Sequence, residues 1–206
     1  MENKNFKGRT LLAAAISMAA FNSIHAMEFY TSGIEGTFDS QVSVGSSWRV
    51  ESRDEDLTTV NTDDGGLNYS KGDAISQILK GSHDLQLSYK NYGAFVRGKY
   101  WYDYAQSENG VNHGQTSDGL VASNGPLDDS EFDDLSKFSG AQILDAFVYG
   151  EFDVLDMPLD VRLGKQVVSW GESTFIRGGI NAINPVDVAS FRRPGAEIKE
   201  GLIPVN

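Results

Sequence analysis

The sequence predicts an all-β fold: an antiparallel meander of long amphipathic strands, the N-terminal part of a transmembrane outer-membrane β-barrel, whose long loops have room for short helices. Three observations predict it. Apolar and polar residues alternate with a period of two over unusually long runs. The connections between those runs are short and long in turn. The first 26 residues have the layout of an export signal.

The N-terminal segment comes first. Lys4, Lys7 and Arg9 make a basic start, and 11–21 is nearly all apolar. That apolar stretch is too short for a spanning helix, which needs about 20 residues. Small residues follow, and cleavage is expected after Ala26, with Ile24 in place of the small residue preferred two positions before it. A short buried helix is the alternative reading. Residues 27–206 then form the mature part, and the expected location is the cell outer membrane of a Gram-negative bacterium.

The first strand is read at 37–50. Phe38, Val42, Val44, Trp48 and Val50 fall on one face, and Asp39, Gln41, Ser43 and Arg49 on the other. Successive strand residues point to opposite sides, so one face is apolar and one polar. Leu85, Leu87 and Tyr89 alternate likewise with Asp84, Gln86 and Ser88. In 94–104, Ala94, Val96, Tyr100, Tyr102 and Tyr104 oppose Phe95, Arg97, Lys99, Trp101 and Asp103. In 144–153, Leu144, Ala146, Val148 and Phe152 oppose Asp145, Phe147, Tyr149, Glu151 and Asp153. The last run, 159–170, sets Leu159, Val161 and Leu163 against Asp160 and Arg162, then breaks phase at Gly164, Lys165 and Gln166. Either a bulge at Gly164 or a snorkelling Lys165 accounts for the break.

The connections complete the pattern. Residues 51–83 form a long acidic loop, where Ile75, Ile78 and Leu79 suggest a short helix, and 90–93 is a tight turn. Residues 105–142 form a second long loop rich in Gly, Ser and Asp, 154–158 is another short turn, and a third long stretch follows Trp170. Outer-membrane barrels have short periplasmic turns and longer extracellular loops. A soluble β-sandwich, the competing fold, has no reason to put its long loops at one end. Trp48, Tyr100, Tyr102 and Tyr104 fit the interfacial aromatic girdles.

Composition narrows the function classes. Lys4, Lys7 and Arg9 outweigh Glu2 by two charges, so the chain beyond Ala26 carries −14 against −12 for the whole. No nucleic-acid partner is expected, because phosphate contacts need clustered Lys and Arg. The chain has no cysteine, which excludes disulfides, thiolate metal sites, a Cys nucleophile and a lipid anchor on Cys. Five strands cannot close a barrel, since single-chain bacterial barrels have even numbers from about eight upward. An open edge in hydrocarbon leaves backbone groups unpaired. The sequence is therefore expected to be the start of a longer chain, or to assemble with others.

Several blocks carry a resemblance: EGTFDSQVSVGSSWRVESRD (35–54), DDGGLNYSKGD (63–73), LKGSHDLQLSYKNYGAFVRGKYWYDY (79–104), LDAFVYGEFDV (144–154) and PLDVRLGKQVVSWGESTFIRGGINAINPVDVASFRRPGAEIKEGLIPV (158–205). These resemble the domain-of-unknown-function 1302 family of long proteobacterial proteins, presumed to be outer-membrane barrels. The most specific block sets Trp-Gly-Glu-Ser before Ile-Asn-Pro-Val-Asp, and the loop at 105–141 matches least. The resemblance implies a barrel of unsettled biochemistry. The genomic company of such proteins, which includes exporters, implies traffic of hydrophobic compounds across the envelope.

Catalytic signals are nearly absent, and the chain is not expected to be an enzyme or to hold a cofactor. Gly171, Glu172, Ser173, Thr174 and Phe175 miss the last glycine of a nucleophile elbow. Beyond residue 26 only His83 and His113 remain, far apart in sequence. Asp54, Glu55, Asp56, Asp63 and Asp64 crowd one loop without the spacing of an EF-hand, and a solvated acidic loop is the preferred reading. The polar face is left as the candidate site. Strand phase points Asp39, Arg49, Asp84, Arg97, Lys99, Asp103, Asp145, Glu151, Asp160 and Arg162 into the lumen. Such charges tune selectivity or simply pair with one another and with water. The stretch 171–193 lacks alternation, and its apolar residues sit badly in an exposed loop. Residues 176–188 are expected to fold into the lumen as a constriction, with Ile176, Ile180, Asn181, Asn184, Pro185 and Asp187 as its candidates. The expected role is a channel or transporter component for small hydrophobic or aromatic compounds. The alternative is a non-enzymatic docking barrel for a periplasmic or export partner. The expected contacts are outer-membrane lipid, a small hydrophobic solute and a periplasmic protein.

Overall fold

The computed structural model describes residues 23–52, 68–116, 119–168, 183–197 and 201–204. Their architecture is an all-β antiparallel meander. The strands are β1 (Ser23–Thr31), β2 (Ile34–Trp48), β3 (Ala74–Tyr89), β4 (Tyr92–Asp103), β5 (Gly110–Thr116), β6 (Gly119–Pro126), β7 (Ser139–Val154) and β8 (Met157–Lys165). One sheet has the order β1-β2-β3-β4-β7-β8, and β5 pairs β6 as a separate hairpin inserted between β4 and β7. Within the six-stranded sheet the strands thus follow one another in chain order, with only the β5–β6 hairpin set aside, the arrangement that two-residue hairpins and local pairing favour.

The tight turns are Ser32 with Gly33, Lys90 with Asn91, and Leu155 with Asp156. Ser32, Gly33, Leu155 and Asp156 all have positive φ, between 52° and 84°, as a type I′ turn requires, and Lys90 has φ 54°. Three non-glycine turn residues besides Asp156 therefore sit in the left-handed region that L side chains usually avoid. The twist of the flanking strands selects this conformation.

The chain divides into two compact units. The first takes in described residues 43–52, 68–79, 102–116 and 119–139. It holds the short helix α1 (Tyr104–Glu108), the β5–β6 hairpin and a single 3-10 turn at Asp134–Ser136. Its core is Ile78, Ala105 and Val111. Asp103 organises it: its carboxylate accepts from Ser76 Oγ, from the Gln77 amide at 3.0 Å and from the Gln106 amide at 3.3 Å, capping α1. Asp103 also raises the Tyr69 phenol above its ordinary value, after burial, the larger cause.

The second unit takes in described residues 23–42, 80–101, 140–168, 183–197 and 201–204. It contains all three tight turns, β1, β7, β8 and the short helix α2 (Val188–Arg192). Its burial pattern is inverted relative to a water-soluble sheet. Val148 is 54% and Leu163 66% exposed, whereas Lys80 is 5%, Lys99 6% and Asp145 4% exposed. Trp101 and Leu144 are the large apolar residues buried among these polar ones.

Several sequence expectations need correction. Alternation gives five strands, but the main sheet has six, because β1 occupies 23–31. The expected cleavage after Ala26 would leave 27–31 paired with 34–38. Ile75, Ile78 and Leu79 lie in β3, not in a helix. That strand spans 16 residues because its buried side continues as Ser76, Ile78, Lys80 and Ser82, which hides the apolar signal. Residues 105–142 are not loop throughout, since they include α1, the β5–β6 hairpin and the start of β7. Tyr104 begins α1 and does not extend β4. Leu144 and Asp145 are both buried while Ile143 is exposed, so alternation slips by one residue there and Leu144 leaves the face of Val148. At Gly164 the pairing with β7 runs on without a register shift, from Met157 opposite Val154 to Lys165 opposite Ala146. Gly164 instead has φ 133°, and a Cβ there would run into the Ala146 carbonyl oxygen. Lys165 Nζ turns back to the Ile143 carbonyl at 2.8 Å.

Candidate functional site

The polar face of the second unit carries two charge clusters of different construction. The first begins with Arg97 on β4. Its guanidinium grips Asp84 of β3 in bidentate fashion, Nε to Oδ1 at 2.8 Å and Nη2 to Oδ2 at 2.6 Å. Asp145 of β7 lies 3.6 Å from Nη1 and accepts from the Val167 amide at 3.0 Å. Planar guanidinium and carboxylate match as a fork, which makes this pair stiff. Arg97 also lies over the Phe95 ring, 5.1 Å from its centroid.

Two residues along β4, Lys99 holds the segment that follows β8. Lys99 Nζ reaches Asp187 Oδ2 at 3.0 Å and Ser190 Oγ at 2.7 Å, with both members of the ion pair buried. Asp187 caps α2, accepting the Ser190 amide at 3.0 Å and its hydroxyl at 2.5 Å. Burial alone would raise the Asp187 carboxyl. The Ser190 hydroxyl and amide and the Lys99 ammonium outweigh it and hold the group below its ordinary value. Lys80 Nζ adds a bond to the Gly195 carbonyl at 2.6 Å, and Gln41 donates to Glu197. Arg193 lies over Trp101 at 4.2 Å, and the Trp101 ring rests against Gly140, where a Cβ would collide with it.

The same segment is tied at its ends. Asn184 is buried and exchanges two bonds with Val168, Nδ2 to the carbonyl at 2.6 Å and the Val168 amide to Oδ1 at 3.0 Å. The Asp187 amide donates to Gly201 and the Ile203 amide to Pro185, around a bridge between Val186 and Leu202. The described part of the expected constriction segment, 183–188, is thus held to β4 through Lys99, and the residues that follow it are held to β3 through Lys80 and Gly195.

The second cluster is open. Glu151, Asp160 and Arg162 are exposed on β7 and β8. Glu151 stands directly opposite Asp160, and Arg162 opposite Tyr149. Arg162 lies over the Phe147 ring at 5.6 Å.

The remaining sequence candidates are scattered. Asp39 is exposed on β2, and Arg49, in the first unit, donates to the Glu51 carbonyl at 3.0 Å. Asp103 serves α1 in the first unit. Pro185 is exposed beside Asn184. Ile176, Ile180 and Asn181 lie outside the described residues, as do the acidic residues Asp54, Glu55, Asp56, Asp63 and Asp64. Sequence reasoning missed Lys80, Gln41, Ser190, Arg193 and Glu197. Extending the period-two pattern back from Asp84 would have found Lys80. Nothing in the sequence marks which partners the post-β8 segment meets.

A model of the family described as "Protein of unknown function (DUF1302)" matches residues 7–206, so the chain belongs to that family. No curated protein and no solved structure matches the chain.

Proposed function

We propose that this DUF1302 member is the N-terminal part of an outer-membrane β-barrel, exported by a cleaved signal, which acts as a channel or transporter component for small hydrophobic or aromatic compounds. The observation that carries the reading is the inverted burial: Val148 and Leu163 outside, Lys80, Lys99 and Asp145 inside. Water-soluble proteins rarely bury Lys and Asp and commonly bury Val and Leu. A transmembrane barrel alternates apolar-out and polar-in along every strand. On this reading outer-membrane lipid meets the apolar face, and the segment held by Lys99 and Lys80 lines the lumen as a constriction. No catalytic step is assigned to the chain.

Conductance tests this. The full-length protein reconstituted in planar bilayers is expected to give a steady current, and deleting 176–188 to raise it. An unchanged conductance in the deletion overturns the constriction. A protein that stays in solution without detergent overturns the barrel. The absence of any current favours the docking role, in which the barrel anchors a periplasmic or export partner. The long segment packed on the polar face is the observation that keeps this second reading open, since a filled lumen carries no ions.

A further inference from the structure

The polar face of the second unit contains a recess of about 300 Å³ at the β4–β7–β8 corner, near the lower limit for small-ligand sites. Its floor is aromatic on a face that is otherwise polar. Phe95 and Phe147 lie 5.4 Å apart, and Phe147 and Tyr149 lie 6.4 Å apart. Gly93 seats one of these rings: the Tyr149 ring lies on its backbone, where a Cβ would displace it.

The rim carries charges of both signs, held apart. Glu151 faces Asp160 across the strands, an arrangement that repels unless a cation comes between. Arg162 does not fill that role: it lies over Phe147, and among the described residues it forms no ion pair. A purely anionic guest at Arg162 would sit near two uncompensated carboxylates. A purely cationic guest between the carboxylates would sit near an uncompensated guanidinium. A guest with both charges answers both, and a planar ring would stack on the floor.

Resting on the reading of this face as the lumen wall, we propose that the recess binds a small zwitterion bearing an aromatic ring, the chemical class of the free aromatic amino acids. The carboxylate meets Arg162, the ammonium meets Glu151 and Asp160, and the ring lies on Phe95, Phe147 and Tyr149.

Calorimetry on the full-length protein in detergent tests this with four probes: phenylalanine, benzoate, benzylamine and glycine. Phenylalanine is expected to bind, and each of the other three, which lacks one element, to bind about tenfold more weakly or worse. Arg162→Met is expected to remove the preference for phenylalanine over benzylamine. The double variant Glu151→Gln, Asp160→Asn is expected to remove its preference over benzoate. All three side chains are exposed, so the variants should fold, and circular dichroism checks that they do. The proposal is overturned if phenylalanine does not bind, if benzoate or benzylamine binds as tightly, or if the variants keep both preferences. Bilayer recordings separate this outcome from the channel reading. Binding without current leaves the site standing and removes the channel; current without binding does the reverse.

Discussion

Lys99 and Arg162 belong to the same polar face of one compact unit, and they are held in opposite ways. Lys99 is 6% exposed, and its ammonium meets Asp187 and Ser190. Arg162 is exposed, and its described contact is the face of Phe147. The difference follows from solvation. A charge taken out of water must be paired and hydrogen-bonded, or it neutralises. A charge left in water needs no partner, and a surface pair gains little from forming. The buried cluster is therefore structural, tying residues 183–197 to the strands, and the exposed one is free to meet a solute.

The largest effect should come from breaking the buried pair. Lys99→Ala leaves the Asp187 carboxylate buried without its cation, a loss of about 3–5 kcal/mol by analogy with other buried pairs. Hydrogen exchange on the full-length protein should show residues 183–197 losing protection while β7 and β8 keep theirs. The double replacement Lys99→Met with Asp187→Asn, which leaves no unpaired buried charge and keeps an acceptor for the Ser190 amide, should restore part of that protection. If Lys99→Ala leaves exchange in 183–197 unchanged, this pair does not hold the segment.

A backbone effect comes next. Gly164 has φ 133°, and a Cβ would collide with the Ala146 carbonyl. Gly164→Ala should destabilise the β7–β8 pair by about 1–3 kcal/mol through strain, read as a lower midpoint in chemical unfolding. It should leave the protection of 183–197 intact.

The strands that the sequence reveals are those whose two faces differ in chemistry. In β4, Val96 and Tyr102 alternate with Arg97, Lys99 and Asp103, and the pattern is plain. In β3 the covered side sets a single apolar residue, Ile78, among Ser76, Lys80 and Ser82, so the contrast that periodicity detects is weak and the first half of the strand is lost. The β5–β6 hairpin is hidden differently, since its Gly, Asn and Ser look like loop residues. Site residues follow the same rule. Arg97 with Asp84 and Asp145 was legible because strand phase places all three on one side. The bond from Lys99 to Asp187 spans 88 residues, and no local pattern encodes it. Asn184 and Asp187 stand out in the sequence as polar residues among apolar ones, but their partners Val168 and Lys99 emerge only from the packing.

Acid provides a graded version of the first test. Asp187 is held below its ordinary value by Ser190 and Lys99 against the opposing effect of burial. A carboxyl with a depressed folded value contributes stability that is complete above its unfolded value, about 3.9, and is lost as pH falls through the folded one. Exchange protection of 183–197 should therefore be flat from neutral pH down to about 4 and fall only below it. Release at mildly acidic pH would point to some other titrating group.

The smallest stability change is expected at Arg162, and its smallness is informative. Arg162→Ala removes an exposed cation and its contact with Phe147, so the unfolding midpoint should shift by no more than about 0.5 kcal/mol, the ordinary range for a surface change. Protection of 183–197 should not move. A loss above about 1 kcal/mol would mean that Arg162 is paired in the folded protein, and the contrast with Lys99 would collapse. A small loss leaves the exposed charges of β7 and β8 without a structural task. They then have to be explained by what they meet outside the chain, whereas Lys99 is already explained by what it holds.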